Sequence, residues 1–434
     1  MAYSPFLGGQ PPALSIPGTY EIESSWKLAD SVAEEFFHKT QRVVELYPVP
    51  ELEAGDTKRV VSPMELLLGL GKTTSALPGL GMTGTAGLPG LAALRIASRW
   101  AIIRYLWAFA EARPDLRLSV LTDQVRNHQR SLFSEHFGIA VATDLVEQLI
   151  LTEPARVVDA DAVSYDAVLG PAIGGLGSHK PDYFWYNMHG KNLTDVVVLE
   201  AKGNSSGPRA TITQLARGVE QVLVPKVVPG AHMRRLVVGA CLAGGRIKSY
   251  ALEVGEPDDE TREGIAVALA MREAGKRPRT GDLESSGWIS AGNAVAAPVN
   301  REEVVREAQD LDRARLFAFA GLQPGPLAQA DRQATGLLDV VDADDTSFWC
   351  ETSLINLGGR YLSVRTGVAE ELLSAPGDAG SDLAFERGRA RYAARRRRRN
   401  SYEFRPGRSR NRPEEALTLV TSADGCMLSL SMLD

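Results

Sequence analysis

Asp195-Val196-Val197-Val198-Leu199-Glu200-Ala201-Lys202 decides how this chain is read. The first five residues form a strongly apolar run, which predicts a buried strand. Such a strand would ordinarily end in a turn or another hydrophobe. This one delivers a carboxylate and an ammonium two residues apart. Side chains alternate across a strand, so Glu200 and Lys202 share a face and Ala201 takes the other. Burying either charge is costly without partners. Separated from Glu200 by seventeen residues, Pro181-Asp182 precedes the apolar-aromatic stretch Tyr183-Phe184-Trp185-Tyr186, a second expected strand. Two adjacent strands would bring Asp182 and Glu200 together.

Two carboxylates with backbone oxygens make a hard, oxygen-rich site of the kind that suits Mg²⁺. Such an ion polarises a phosphoryl oxygen and lowers the pKa of bound water. Lys202 would stabilise the charged phosphate or orient the attacking water. Glu-x-Lys alone is common, and a surface ion pair at a strand end is the plain alternative.

In this context Pro181-Asp182 and Glu200-Ala201-Lys202 resemble the signature of the PD-(D/E)XK nuclease superfamily, the restriction-endonuclease-like fold. The resemblance spans roughly residues 129–245. It rests on the motif and on the order of expected elements: a helix at Ser131–Ile150, a weak strand within Ala155–Val168, strands at Asp182–Tyr186 and Asp195–Leu199, a helix at Ala210–Val224 and a strand at Arg235–Leu242. It implies an α/β (α+β) core of mixed β-sheet flanked by helices. It also implies a Mg²⁺-dependent, or Mn²⁺-dependent, nuclease that cuts a phosphodiester by in-line attack of water. Asp182 and Glu200 would bind metal, the Ala201 carbonyl would add a ligand, and an acid from the first helix would complete the set. Glu135 is the candidate, on a stripe with Leu132, Ile139 and Ala142 expected to face the sheet; Glu147 is its rival. On the second helix Gln214, Arg217 and Gln221 form a polar stripe, and Gln214 and Arg217 are candidate contacts to DNA phosphate. An ordinary wet helix face is the alternative. The loop Asn204–Arg209 and the pair His179-Lys180 lie where substrate would come.

At 434 residues and 44% hydrophobic content the chain can bury a sizeable core and is expected to form two or three domains. Residues 1–125 read as a mixed, largely helical amino-terminal region, 126–255 as the nuclease-like core, and 256–434 as charged helices followed by a β-rich module. Two hairpin signals lie in that module, around Gly358-Gly359 and Asp424-Gly425. Cys241, Cys350 and Cys426 are widely spaced, which points away from a disulfide framework and towards a reducing compartment. No secretory signal is evident, and Leu91–Ala110 is broken by Arg95, Arg99 and Arg104, so a cytoplasmic, non-membrane protein is expected. Gly69-Leu70-Gly71-Lys72-Thr73-Thr74 invites a nucleotide-binding reading. A phosphate loop, however, needs glycine where Leu66 stands, and the glycines from Gly79 to Gly90 suggest a loop.

The second unusual feature is a run of arginines. Phe385 to Arg412 holds twelve arginines against two glutamates, a local charge of +10; the whole chain carries −6, so the remainder carries −16. Like charges repel, and the run is expected to be mobile when free. Arg395, Arg396, Arg397, Arg398 and Arg399, with Tyr392, Tyr402 and Phe404 available for stacking, are candidate nucleic-acid contacts. A solubilising loop, or an arm that docks a protein partner or a second copy, is the alternative. Restriction, phage defence and repair are the settings implied, with DNA as the expected substrate. The competing reading is a catalytically inactive nucleic-acid-binding or assembly protein on the same scaffold.

Overall fold

A computed structural model describes residues 14–53, 58–75, 101–110, 114–151, 155–160, 180–189, 192–225, 231–258, 261, 264–265, 301–321, 338–343, 345–356, 361–373, 381–396, 402–411 and 416–433. These form an α+β protein with a large mixed sheet and a closed six-stranded barrel.

The amino-terminal stretch contributes β1 (Gly18–Glu23), α1 (Trp26–Thr40), β2 (Leu46–Pro48), α2 (Pro50–Glu53), β3 (Lys58–Val61) and α3 (Pro63–Thr73). Local chemistry sets these boundaries. The Ser25 hydroxyl caps α1 by accepting from the Leu28 N–H at 3.2 Å, and Gln41 in the left-handed region ends it. Ser62 and Glu65 form a reciprocal capping box on α3, with Pro63 in the first turn. The central stretch supplies α4 (Asn127–Leu145), which runs into a π-turn at Val146–Ile150, then β4 (Arg156–Asp159), β5 (Tyr183–His189) and β6 (Asn192–Asn204). It continues with α5 (Pro208–Leu223), β7 (His232–Cys241) and β8 (Lys248–Val254).

The sheet runs β3-β1-β8-β7-β6-β5-β4, with β2 paired to β8. β6 and β7 are parallel, as are β1 and β8, and the other pairs are antiparallel. The amino-terminal stretch thus builds one flank of the sheet that holds Glu200. β6 is buried on both faces. Val197, Leu199 and Ala201 belong to the apolar layer that includes α4, whereas Val196 and Val198 belong to the layer of α1 and α5. This explains why its sequence is an unbroken apolar run rather than an alternation.

Glycine allows α4 to touch β6 directly. A β-carbon on Gly138 would stand 2.6 Å from the Lys202 carbonyl oxygen, and one on Gly203 would collide with the Ser134 carbonyl.

The carboxy-terminal stretch begins with α6 (Arg301–Phe319). The barrel follows, with β9 (Leu338–Ala343), β10 (Thr346–Asn356), β11 (Tyr361–Ala369), then α7 (Ser381–Arg396), β12 (Tyr402–Ser409), β13 (Ala416–Ser422) and β14 (Cys426–Leu433). It closes in the order β10-β11-β14-β13-β12-β9. Both expected hairpins are present as β10–β11 and β13–β14, the second turning through Gly425 at φ +90°.

Buried charges join the barrel to the sheet. The Lys72 ammonium pairs with Glu147 and lies 3.4 Å from Asp424; Arg315 reaches Asp424 at 3.2 Å and Asp312 at 2.9 Å; Arg389 pairs with Asp312. This agrees with setting aside a phosphate loop and overturns the expectation of a mobile arginine arm. Gly69 to Thr73 is helix rather than phosphate loop, Gly71 packs on Ile102 and Phe319, and Lys72 is fully buried among carboxylates. The arginine run is largely regular structure rather than a mobile arm. α7 carries it through Arg396, and β12 carries Arg405 and Arg408. Arg389 is core, and the Tyr392 ring is buried edge-on to Phe348, its hydroxyl donating to the Ser422 carbonyl at 3.2 Å. Tyr392 therefore cannot stack on a base.

No helix among the described residues is long and apolar enough to cross a membrane. Residues 79–90 and 170–177, His179, most of 258–274, residues 323–333 and Arg397, Arg398, Arg399 and Arg412 lie outside the described residues.

Candidate active site

Asp182 sits where β5 begins. Its N–H donates to the Leu199 carbonyl at 3.1 Å, and its own carbonyl accepts from the Ala160 N–H at 3.1 Å, so the backbone is locked between strands. The Tyr183–Leu199 register sets the carboxylate beside the end of the apolar run, where Oδ2 accepts from the Ala201 N–H at 2.8 Å. Glu200, the next residue towards β5's start, is 0% exposed and turns to α5. It lies against Gly218: a β-carbon there would stand 3.0 Å from the Glu200 Cγ. Lys202 shares that face, is about a quarter exposed, and donates from its ammonium to Glu200 Oε1. Glu200 Oε2 is buried and has no hydrogen-bond partner.

The electrostatics follow from this burial. Burial pushes the Glu200 carboxyl well above the usual carboxylate range; the nearby Asp182 charge pushes the same way, and Lys202 only partly offsets both. Asp182 is also raised, again chiefly by burial, against the pull of Lys202 and the Ala201 N–H. Burial opposes the Lys202 ammonium, but the charges of Glu200 and Asp182 outweigh it and raise its pKa. The pair of acids is thus short of positive charge with one lysine alone.

A divalent cation is the natural complement of that deficit. The orphaned Oε2 and the hard oxygen donors fit one in kind. Mg²⁺ often takes only one or two carboxylates, with waters and substrate oxygens completing its shell. Among the described residues no group of three His, Cys, Asp or Glu side chains is placed to hold a metal jointly. The contact Ala201 makes with Asp182 runs through its N–H rather than its carbonyl.

The chain matches no family model, no curated protein and no solved structure. The site therefore rests on its own geometry.

The remaining candidates divide. Glu135 is exposed rather than turned to the sheet, because Ser134 and Gly138 occupy the contact with β6 and Glu135 lies to one side. Its charge still reaches Asp182, Tyr183 and Lys202, raising each. Glu147 is committed to buried Lys72. Gln214 sits one turn before Gly218 on α5, with Oε1 buried and without a partner. Arg217 is exposed. Arg395 and Arg396 end α7, on the barrel side of the charge network and not on the elements that carry Glu200. In the loop after β6, Asn204 Oδ1 accepts from the Ser206 and Gly207 N–H groups at 2.9 and 3.1 Å, and its amide donates to Thr211 at 2.6 Å. That loop is braced by the protein's own groups.

Two supports escaped sequence reasoning. Gly218 makes room for Glu200, and a glycine inside an otherwise good helix was the available signal. The Gln221 amide donates to the Lys180 carbonyl at 2.8 Å, tying α5 to the approach to Asp182. Nothing local in the sequence announces that pairing.

Proposed function

We propose that this chain is a Mg²⁺-dependent nuclease of the PD-(D/E)XK type acting on DNA. The observation that carries the reading is the fully buried Glu200, with one carboxylate oxygen unpartnered, beside Asp182 and the Lys202 ammonium at neighbouring strand ends. A structural ion pair has no use for an orphaned buried acceptor, whose desolvation costs about 1–3 kcal/mol. The order α4, β4, β5, β6, α5, β7 also agrees with the helix, three strands, helix and strand that the resemblance implies.

Asp182 and Glu200 would hold the ion. When bound, it would supply polarisation of the phosphate and a more acidic water. Lys202, held charged by the two acids and partly open to solvent, presents an ammonium to the phosphate being attacked. The Ala201 N–H keeps Asp182 aimed, and Glu135 adds negative charge at the rim of the site. A cytoplasmic restriction, phage-defence or repair role is compatible with this chemistry.

One observation favours a second reading, a non-catalytic nucleic-acid-binding protein on this scaffold: the described residues include no three-acid metal group. A direct assay separates the two. The protein is incubated with plasmid, linear DNA and RNA in Mg²⁺, Mn²⁺ or chelator, beside Asp182→Ala and Lys202→Ala. The nuclease reading expects cation-dependent cleavage that falls about 100-fold or more in both variants. Binding without cleavage of any substrate, unchanged in both variants, would establish the second reading instead.

A further inference from the structure

About half of the arginines whose side chains are described pair with carboxylates. Arg59 pairs with Asp144, Arg156 with Glu386, Arg234 with Glu51 and Glu253, Arg235 with Glu256, Arg315 with Asp312 and Asp424, Arg365 with Asp339, and Arg410 with Asp342. Arg126, Arg130, Arg209 and Arg246 are among those that do not, as are Arg42, Arg104, Arg217, Arg387, Arg391 and Arg408; the four stand out by where they lie. Among the described residues none of the four makes an ion pair. Three are exposed and Arg130 is half-buried, its guanidinium donating to the Asp123 backbone carbonyl at 2.8 Å.

The topology gathers these four at one end of the sheet. β6 and β7 are parallel and finish together at Asn204 and Cys241. Stepping from Lys202 to Gly203 moves the contact on α4 back from Gly138 to Ser134, so the first turn of α4, with Arg126 and Arg130, lies beyond the strand end. α5 starts just after that end and carries Arg209 in its first turn. The turn after β7 is held to the same place by the Leu242 N–H donating to the Asn204 carbonyl at 2.8 Å, and Arg246 follows it. Asp182, where β5 begins, and Lys202, near the end of β6, open at this same end.

We infer that Arg126, Arg130, Arg209 and Arg246 form a phosphate-binding rim, along which a nucleic-acid strand runs into the Asp182–Glu200–Lys202 site. This rests on the nuclease reading for its substrate class. A chain of formal charge −6 would repel a polyanion in general, so unpaired cations concentrated at the mouth of the site supply the local attraction. The positive ends of the α4 and α5 dipoles add to it. Three acids lie nearby: Asp115 is paired with Arg117, whose backbone bridges to Arg246, while Asp123 and Glu135 are exposed, so the four arginines outnumber the two carboxylates that no arginine holds.

The test uses the full chain with Asp182→Asn, so that binding is read without cutting. Fluorescence anisotropy measures affinity for labelled duplex DNA, single-stranded DNA and RNA across a salt series. A rim variant carries Arg126→Gln, Arg130→Gln, Arg209→Gln and Arg246→Gln. A control removes four exposed charges elsewhere, by Lys27→Gln, Arg387→Gln, Arg391→Gln and Arg408→Gln. Thermal melts confirm that both fold. The rim variant is expected to lose about 30-fold or more in affinity near 0.1 M salt, and its log–log salt slope should fall by about 3; the control should stay near the parent. The inference is overturned if the rim variant binds within about threefold of the parent, if the control weakens binding equally, or if the parent binds none of the probes. Loss of binding in the rim variant while the wild type cuts nothing would keep the rim and remove the nuclease reading. Cleavage that depends on Asp182, with normal binding by the rim variant, would do the reverse.

Discussion

Gly218 and Glu200 are in van der Waals register: the helix glycine leaves room for the buried carboxylate, and a β-carbon would come within 3.0 Å of its Cγ. In an unconstrained helix interior, Gly→Ala stabilises by about 1 kcal/mol. Here Gly218→Ala would press Glu200 towards Asp182. The expected outcome is a folded protein with near-parental melting, weaker activation by Mg²⁺ and at least about tenfold slower cleavage. Cleavage rates across a Mg²⁺ titration, beside a melting curve, check this.

Glu200 makes a pH-dependent cost visible. Its carboxyl is raised by burial and by the Asp182 charge, so the native state holds its proton more tightly than the unfolded chain does. A group of that kind contributes stability that is present below its unfolded pKa, about 4.3, and lost as pH rises towards the folded value. Glu200→Gln removes the loss. In chelator at pH 8 the variant should melt about 2–4 °C above the wild type, and the difference should vanish near pH 4. Mg²⁺ should raise the melting temperature of the wild type and leave Glu200→Gln nearly unmoved.

The bridge between Lys72 and Asp424 predicts the opposite pH behaviour. Burial works against the Asp424 carboxylate, but Lys72 and Arg315 outweigh it and hold its pKa well below the usual range. Its contribution is therefore present above the ordinary aspartate pKa of about 3.9 and is lost only as pH falls well below it. Asp424→Asn, which takes one of two carboxylate partners from each of Lys72 and Arg315 and leaves Glu147 and Asp312, should cost about 3 kcal/mol at pH 7. Urea unfolding should show that gap narrowing below about pH 4.

Arg389 and Arg387 belong to the same arginine run and should behave differently. Arg389 pairs with Asp312 and also donates to the Ala155 carbonyl at 3.3 Å, whereas Arg387 is exposed. Arg389→Met should destabilise the fold by about 3 kcal/mol or more, while Arg387→Met should change stability by less than about 0.5 kcal/mol. Paired denaturation curves decide it.

β4 to β7, α4, α5 and the Asp182–Glu200–Lys202 grouping were legible in the sequence because they rest on short-range rules, whereas β1, β2, β3 and β8, which extend the same sheet, were not. Apolar runs of strand length predicted β5 and β6, 3.6-residue periodicity predicted α4 and α5, and two-residue alternation put Glu200 and Lys202 on one face. Glycine turns likewise announced the β10–β11 and β13–β14 hairpins. What the tertiary structure alone decided is which charges are used and which are free. The missing glycine at Leu66 argued against a nucleotide ligand at Lys72, but only the barrel, by bringing Asp424, 352 residues away, beside it, showed what that lysine does. Arg389 and Tyr392 looked like a mobile nucleic-acid arm until packing buried them. Glu135 sat on the right stripe, but the close fit of Ser134 and Gly138 on β6 turned it to solvent. Sequence spacing carries the period of a helix or strand; long-range pairing settles whether a given charge finds a partner, and only a charge left without one remains for a ligand.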